Sequence, residues 1–503
     1  MLENVTVDAR GLARKSPCDI GAFETPQIVM TIPQASQDSN GSAVNPNPIY
    51  IMTVGDNSTN YHLQMKGGSG PYIVTLTSGS LPAGLMLSSD GCFSGIFMAP
   101  GLYTFTLTVT DANHRTDFQQ FRIRVNALQG STLLVTTDAD PGLPNCADPA
   151  NCSLRTLIDS ASADDTITFA PRLTQRLIKL NGTPLSINTA LTVDGSKAPG
   201  VVIDGDYITP IVFSVGNTEA TLQNLIIRHA SCATVNFGDG PIEFVGGGIV
   251  NNGTLTVNRS VITDNSDICG DGGGIYNDGF MTINDSLITH NIANSCSGVV
   301  NGNNHTDDMA PPPPERTMII RNSTFFDNAS GVGGPSQTCD ILNGKQGTLT
   351  LLNSTVFSAS GIGICNYGVF NIGSSMVARS SPRQVTGYCR EATADIVGKI
   401  NSLGYNLIGD GTNATGFVDG QNHDQVGTLT KPLDPKLYIL RNNGGLSWTL
   451  ALQPDSPAIG RGNCVDRSAA NPLLLSILTD QRGVWRKTPC DIGAFETGLS
   501  PAF

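Results

Sequence analysis

Charge is scarce in this sequence. Asp, Glu, Lys and Arg make up 14% of its 503 residues and sum to a formal net charge of −13, with no basic cluster. That balance argues against nucleic acid and against an anionic membrane surface as partners. Aromatics are also scarce, at 6% with two tryptophans, and no stripe of Trp or Tyr at regular spacing marks a long glycan groove. No apolar run approaches the ~20 residues that span a bilayer. The amino terminus, MLENVTVDARGLARKSP, lacks the apolar stretch of a signal peptide. None of the 12 cysteines forms a CxxC, so the spacing gives no sign of zinc ribbons or thioredoxin-like chemistry.

Gly, Asn, Ser and Thr are abundant. These residues serve turns and depress helix propensity, so the composition predicts short strands joined by polar turns. Cysteines scattered through an acidic, turn-rich chain read as disulfides, hence an oxidising compartment. An exported chain without its own signal is expected to be a piece of a longer one.

The chain divides by pattern. Residues 26–127 alternate apolar and polar positions, as in GLYTFTLTVTDANHRTDFQQFRIRV, where two long strands flank a loop from Asp111 to Asp117. With LPAGL and CFSG upstream, this stretch resembles the immunoglobulin-like domains of bacterial surface proteins, which implies a β-sandwich spacer or binding unit. Residues 128–171 contain CSLRTLID, a short helix that Ser153 can cap, with Leu154, Leu157 and Ile158 on one face. It is similar to the CSLREA segment that precedes parallel β-helices, although Thr156 and Leu157 stand where Glu and Ala are usual. The helix is expected to cover the open end of a solenoid, with Arg155 in a structural ion pair.

Residues 172–400 are repeats. GGGIVNNGTLTVNRSVITDN aligns with GGGIYNDGFMTINDSLITHN, and weaker copies follow in TMIIRNSTFFDN, TLTLLNSTVFSAS and GIGICNYGVFNIGSSMV. A repeat of roughly 20 to 30 residues with several short strands signals a β-solenoid, here a three-sided, right-handed parallel β-helix. Three columns of asparagine are expected at its turns. The first is Asn251, Asn277 and Asn366, with a looser copy at Asn343 and a further candidate at Asn301. The second is Asn258, Asn284, Asn322 and Asn353, and the third is Asn265, Asn291 and Asn328. Coils stack ~4.8 Å apart, so amides at one turn can bond their equivalents above and below. Asn also tolerates left-handed backbone. The GGGI and FFDN patterns resemble polymorphic outer-membrane-protein repeats, which agrees with this fold.

Residues 401–497 carry NSLGYNLIGD, LRNNGGLSWTLALQPDSPAIGRGNC and TDQRGVWRKTPCDIGAFE, in that order, before a tail at 498–503. Together they closely resemble the choice-of-anchor Q domain of bacterial surface β-helix proteins. In that family the positions of Cys464 and Cys490 look paired. Other pairs suggested by proximity are Cys146 with Cys152, Cys232 with Cys269, Cys296 with Cys339, and Cys365 with Cys389, though sequence does not fix connectivity. Cys18 and Cys92 are left over. The phrase RKTPCDIGAFET returns near the start as RKSPCDIGAFET, so residues 1–25 look like the tail of a preceding unit. Within the phrase, Asp491 and Glu496 are expected to be structural partners of Arg482 or Arg486.

Chemistry is harder to locate. A calcium-dependent lyase needs clustered carboxylates and a basic residue. The nearest candidates are Asp264, Asp267, Asp271, Asp278 and Asp285 with His290, and Arg259 is the sole Lys or Arg from Val245 to Asn304. Asp267, Asp271 and Asp278 are the weak calcium candidates, and no other cofactor is expected. The insertion NGNNHTDDMAPPPPER forms an extended spur, because Pro cannot donate to a ladder, and His305, Asp307 and Asp308 make it a candidate binding loop. The reading that results is a non-catalytic, extracellular structural or adhesive unit of a bacterial surface fibre. Its expected partners are other copies of itself, head to tail through residues 1–25 and 480–497, and surface glycans or other surface proteins. The alternative is a β-helix polysaccharide lyase or hydrolase.

Overall fold

The computed structural model describes residues 29–31, 36–37, 49–53, 63–97, 101–126, 130–140, 151–232, 247–268, 272–293, 296–302, 316–330, 339–358, 361–379, 394–464 and 477–498. The chain forms two compact units, Met1–Gln129 and Gly130–Phe503.

The first unit is all β. Its main sheet contains Ile73–Gly79, Gly101–Thr110, Thr116–Asn126, Ile49–Thr53 and Ser36–Gln37, and smaller pairs lie beside it. Alternation puts Phe105, Leu107, Val109, Phe121 and Ile123 inward, where Phe105 and Phe121 stack at 5.8 Å. The hairpin between the two longest strands turns at Asp111, whose carboxylate accepts the backbone N–H of Asn113 and Arg115, each at 2.9 Å. This aspartate is spent on its turn.

The second unit is a parallel β-helix of three long sheets, two of 10 strands and one of nine, every pairing in them parallel. One coil shows the plan. Thr254–Asn258 lies in the first sheet, Val261–Thr263 in the second, and Ile275–Asn277 in the third. Inward positions stack in register, so Ile167, Val193, Leu222, Val257, Ile283, Ile320, Leu351 and Ile372 form one apolar column of the core. A short sheet, Ser266–Asp267, Ile292–Ala293 and Ala329–Ser330, adds a fourth side locally.

Leu154–Ser160 is the one α-helix among the described residues. The Ser153 side chain accepts the Thr156 N–H, and Leu154, Leu157 and Ile158 are buried against the first coils. Arg155 grips Asp140 through two nitrogens at 2.8 and 2.7 Å, and also donates to the carbonyls of Thr183 and Pro184. Among the described residues no helix is long and apolar enough to cross a membrane.

Candidate functional site

The turn leading from the third sheet to the first holds a continuous amide ladder. Asn251 Nδ2 donates to Asn277 Oδ1 at 2.7 Å, and the chain continues through Asn301, Asn343 and Asn366 at 2.8 Å per step. Asn366 closes it on the Lys399 carbonyl at 2.7 Å. Members of this column also bond backbone carbonyls of their own turn, so each buried amide is satisfied on two sides.

The column of Asn265, Asn291 and Asn328 runs the same way, with amide bonds of 3.0 and 2.9 Å. The glycines of the GGGI repeats make room for it. A Cβ on Gly274 would stand 2.5 Å from the Gly298 carbonyl and 3.0 Å from Asn291 Nδ2. The ladder ends on a carboxylate, because Asn328 Nδ2 donates to Asp340 Oδ1 at 2.7 Å. Burial pushes the Asp340 carboxyl up to about 7, and its bonds from Asn328 and Ser358 offset only part of that.

The second expected column is corrected. Asn258 and Asn284 face each other and bond at 2.8 Å, but the next residues in that register are Arg321 and Leu352. Asn322 and Asn353 sit one position later, in the left-handed series Asn224, Arg259, Asp285, Asn322, Asn353 and Ser374. The sequence pairs N-R-S with R-N-S, and matching asparagine to asparagine shifts the register by one. What the shift conceals is a serine ladder. The N–H of Ser260, Ser286, Ser323 and Ser354 each donates to the hydroxyl of the serine one coil on, at 3.1 to 3.2 Å. Ser260 and Ser286, each two residues after an asparagine of that column, therefore spend their hydroxyls inside the wall.

Asn322 and Asn353 have another role, which is to receive the closing segment Ile477–Gly498. Asn322 Nδ2 donates to the Thr479 carbonyl at 2.7 Å, and Arg486 Nη2 donates to Asn322 Oδ1 at 2.9 Å. Thr324 donates to Gln481 at 2.5 Å, Thr355 accepts the Ala494 N–H, and Ser374 bonds Asn463. Asn353 Nδ2 lies 2.9 Å from Cys464 Sγ, and Cys464 is disulfide-bonded to Cys490.

The segment holds itself by buried charge. Asp480 accepts from Arg482 Nη2 at 2.6 Å and Nε at 2.9 Å, with both side chains at 3% exposure or less. The Arg482 guanidinium lies 3.7 Å from the centroid of the Phe495 ring. Arg486 reaches Glu496 at 3.6 Å and the Gly493 carbonyl at 2.7 Å. Burial raises the Glu496 carboxyl above its ordinary value against the pull of Arg486, and burial lowers that of Arg486. The expectation for Asp491 needs correcting. Its carboxylate serves backbone, accepting the N–H of Gly460 at 2.7 Å and Thr497 at 2.6 Å, and Asp480 is the partner of Arg482.

Asp267 and Asp278, the two calcium candidates among the described residues, lie on different elements. Asp278 forms an ion pair with Arg316 at the turn after the third sheet, whereas Asp267 is buried in the short fourth-side sheet. Asp271 lies outside the described residues, as do His305, Asp307 and Asp308 of the Pro-rich insertion. Asp285 sits beside Asn322, and burial pushes its carboxyl up to about 6. Among the described residues no three His, Cys, Asp or Glu are grouped to hold a metal. Cys296 is bonded to Cys339 across adjacent coils of the third sheet. Cys152, Cys232 and Cys365 are each disulfide-bonded, while Cys146, Cys269 and Cys389 lie outside the described residues, and Cys92 is free. A cleft of about 630 Å³ opens between the last coils and Ser456–Gly462, flanked by Tyr405 stacked on His423 at 4.5 Å.

These features define a parallel β-helix wall, tied by amide and hydroxyl ladders and by a disulfide between adjacent coils, in a chain that also carries an immunoglobulin-like unit. Residues 30–126 match the family model described as "Putative Ig domain". No curated protein matches the chain. Among solved structures, the chain is similar to the pectate lyase Pel9A at 12% identity and a TM-score of 0.37, over 74% of this chain and 97% of that one. It is also similar to a "putative alpha-galactosidase" from Bacteroides fragilis at 20% identity and a TM-score of 0.13, over 25% of this chain and 27% of that one.

Proposed function

We propose that the chain is a rigid, non-catalytic unit of an extracellular bacterial surface fibre, structural and adhesive in role. The CSLREA-like and choice-of-anchor Q-like stretches belong to this reading, and so do the disulfides, which suit an oxidising exterior.

The observation that carries it is the closing segment and its copy. Asp480, Arg482, Arg486, Cys490, Asp491 and Glu496 have counterparts, in the same order and spacing, in Asp8, Arg10, Arg14, Cys18, Asp19 and Glu24. The residues that bind the segment to itself are thus all repeated. Gln481, which ties it to this coil through Thr324, is replaced by Ala9. A segment that keeps its internal network and the arginine that reaches Asn322, but changes the residue that reaches Thr324, is suited to a related but different host coil. That host is assigned to another unit, which gives head-to-tail order.

The test is light scattering and electron microscopy of the full chain and of a variant lacking residues 1–25. Head-to-tail oligomers of the full chain that revert to monomers in the variant are expected. Monomers in both samples would remove self-assembly.

A further inference from the structure

The outer face of the second sheet has a side-chain column that changes character along the axis. Lys179, Asp204 and Arg228 begin it, and Phe326 and Phe357 stand further on. Beside it the following turn sets His229, Asp264, His290 and Asp327 in left-handed backbone, one per coil. Two ring platforms result.

In the first, Tyr207 stacks on His229 with centroids 4.2 Å apart and planes at 22°. His229 is fixed in turn. Its Nδ1 lies 3.0 Å from the carboxylate of Asp204, which also accepts from Arg228 Nε at 2.8 Å. Tyr207 follows Asp206 in consecutive left-handed conformations, φ 59° and 51°, yet its side chain remains 54% exposed. Backbone of this kind costs free energy and persists where presentation of a side chain matters. In the second platform His290 meets Phe326 edge-on at 6.0 Å, and Phe326 lies parallel to Phe357 at 6.3 Å. His229 and His290 are two coils apart, roughly 10 Å at the usual inter-strand spacing.

We propose that this corner binds a linear, neutral polysaccharide laid along the coil axis. The apolar faces of sugar rings would stack on Tyr207 and on His290 with Phe326, about two pyranose rings apart. Hydroxyls would bond to Asp206, Lys179 and Asp264, which are oriented donors and acceptors at the rim. Neutrality follows from charge. Among the described residues, Lys179 is paired with Asp206 at 2.7 Å and Arg228 with Asp204 at 2.8 Å, so neither of these cations is spare, and Asp264 and Asp327 would repel an acidic polymer. The platforms combine one Tyr with His and Phe and leave the coil of Thr263 and Asp264 without a ring, so they stand beside the reading that no stripe of Trp or Tyr recurs at the coil period.

The proposal rests on the adhesive half of the function above and is independent of fibre assembly. Native gels of the full chain containing mixed-linkage β-glucan, galactomannan, glucomannan or polygalacturonate test it. At least one neutral polymer should retard the protein. Tyr207→Ala and His290→Ala, with unchanged circular dichroism, should each weaken retardation, and Tyr207→Ala should do so about tenfold, the worth of one stacked ring. The variant lacking residues 1–25 should bind like the full chain, which separates this result from the assembly test. No retardation by any of the three neutral polymers, retardation by polygalacturonate alone, or undiminished binding by both variants would overturn the proposal.

Discussion

An asparagine at a coil turn meets two needs. Its amide both donates and accepts, so a stack of them is self-complementary, and its backbone tolerates turns that other residues resist. A carboxylate in such a stack can only accept when ionised. Asp340, at the end of the third column, shows the consequence. Its folded pKa of about 7 lies above the ordinary 3.8, so the folded state holds a proton that the unfolded state gives up. The linked stability is therefore full below about pH 4, falls as pH rises to about 7, and is level beyond. Asp340→Asn keeps the acceptor for Asn328 and removes the titration. The variant should match the parent at pH 4 and exceed it at pH 8 by ~1–3 kcal/mol, the usual scale for a poorly matched buried polar group. Thermal melts across that range decide it, and parallel curves for the two proteins would refute the linkage.

At the scale of elements, the coils and the closing segment differ in how openly the sequence states them. The first and third amide columns are legible because like residue recurs at like position. The second misleads, since R-N-S and N-R-S differ by one step and the buried serine, an unremarkable residue in any single repeat, is what holds the register. The closing segment is legible as a repeated phrase, and the partner of Arg482 is local, Asp480 two residues before it, just outside that phrase. Removing one partner of a buried pair leaves the other charge uncompensated. Arg482→Ala should therefore cost ~3–5 kcal/mol in urea denaturation and speed hydrogen exchange at Gly493 and Ala494. Arg482→Lys should rescue little, because an ammonium lacks the fork that engages Asp480 through two nitrogens. A loss below ~1 kcal/mol would mean the pair is marginal to the segment.

At the scale of the whole molecule, each unit has its own core. The sandwich is centred on Phe93, Phe105 and Phe121, and the β-helix on its stacked aliphatic columns. Residues 130–503 expressed alone should keep the thermal transition of the β-helix seen in the full chain. Scanning calorimetry checks this, and a fall of more than about 5 °C would show that the first unit contributes to its stability.

The sequence by itself determined the class of fold, because strand alternation, repeat length and turn residues are local and repeat often enough to be read. It also determined the cap helix and the columns in which one amide recurs. Tertiary structure alone decided which residues of different coils and of the closing segment share a buried environment. It decided that Asn322 and Asn353 receive that segment, that Asp340 is buried at the end of an amide column, and that Tyr207, His229, His290 and Phe326 line one corner. These are contacts between residues a dozen to more than a hundred and fifty positions apart, set by stacking register and by burial, and no repeat-length pattern along the chain pairs them.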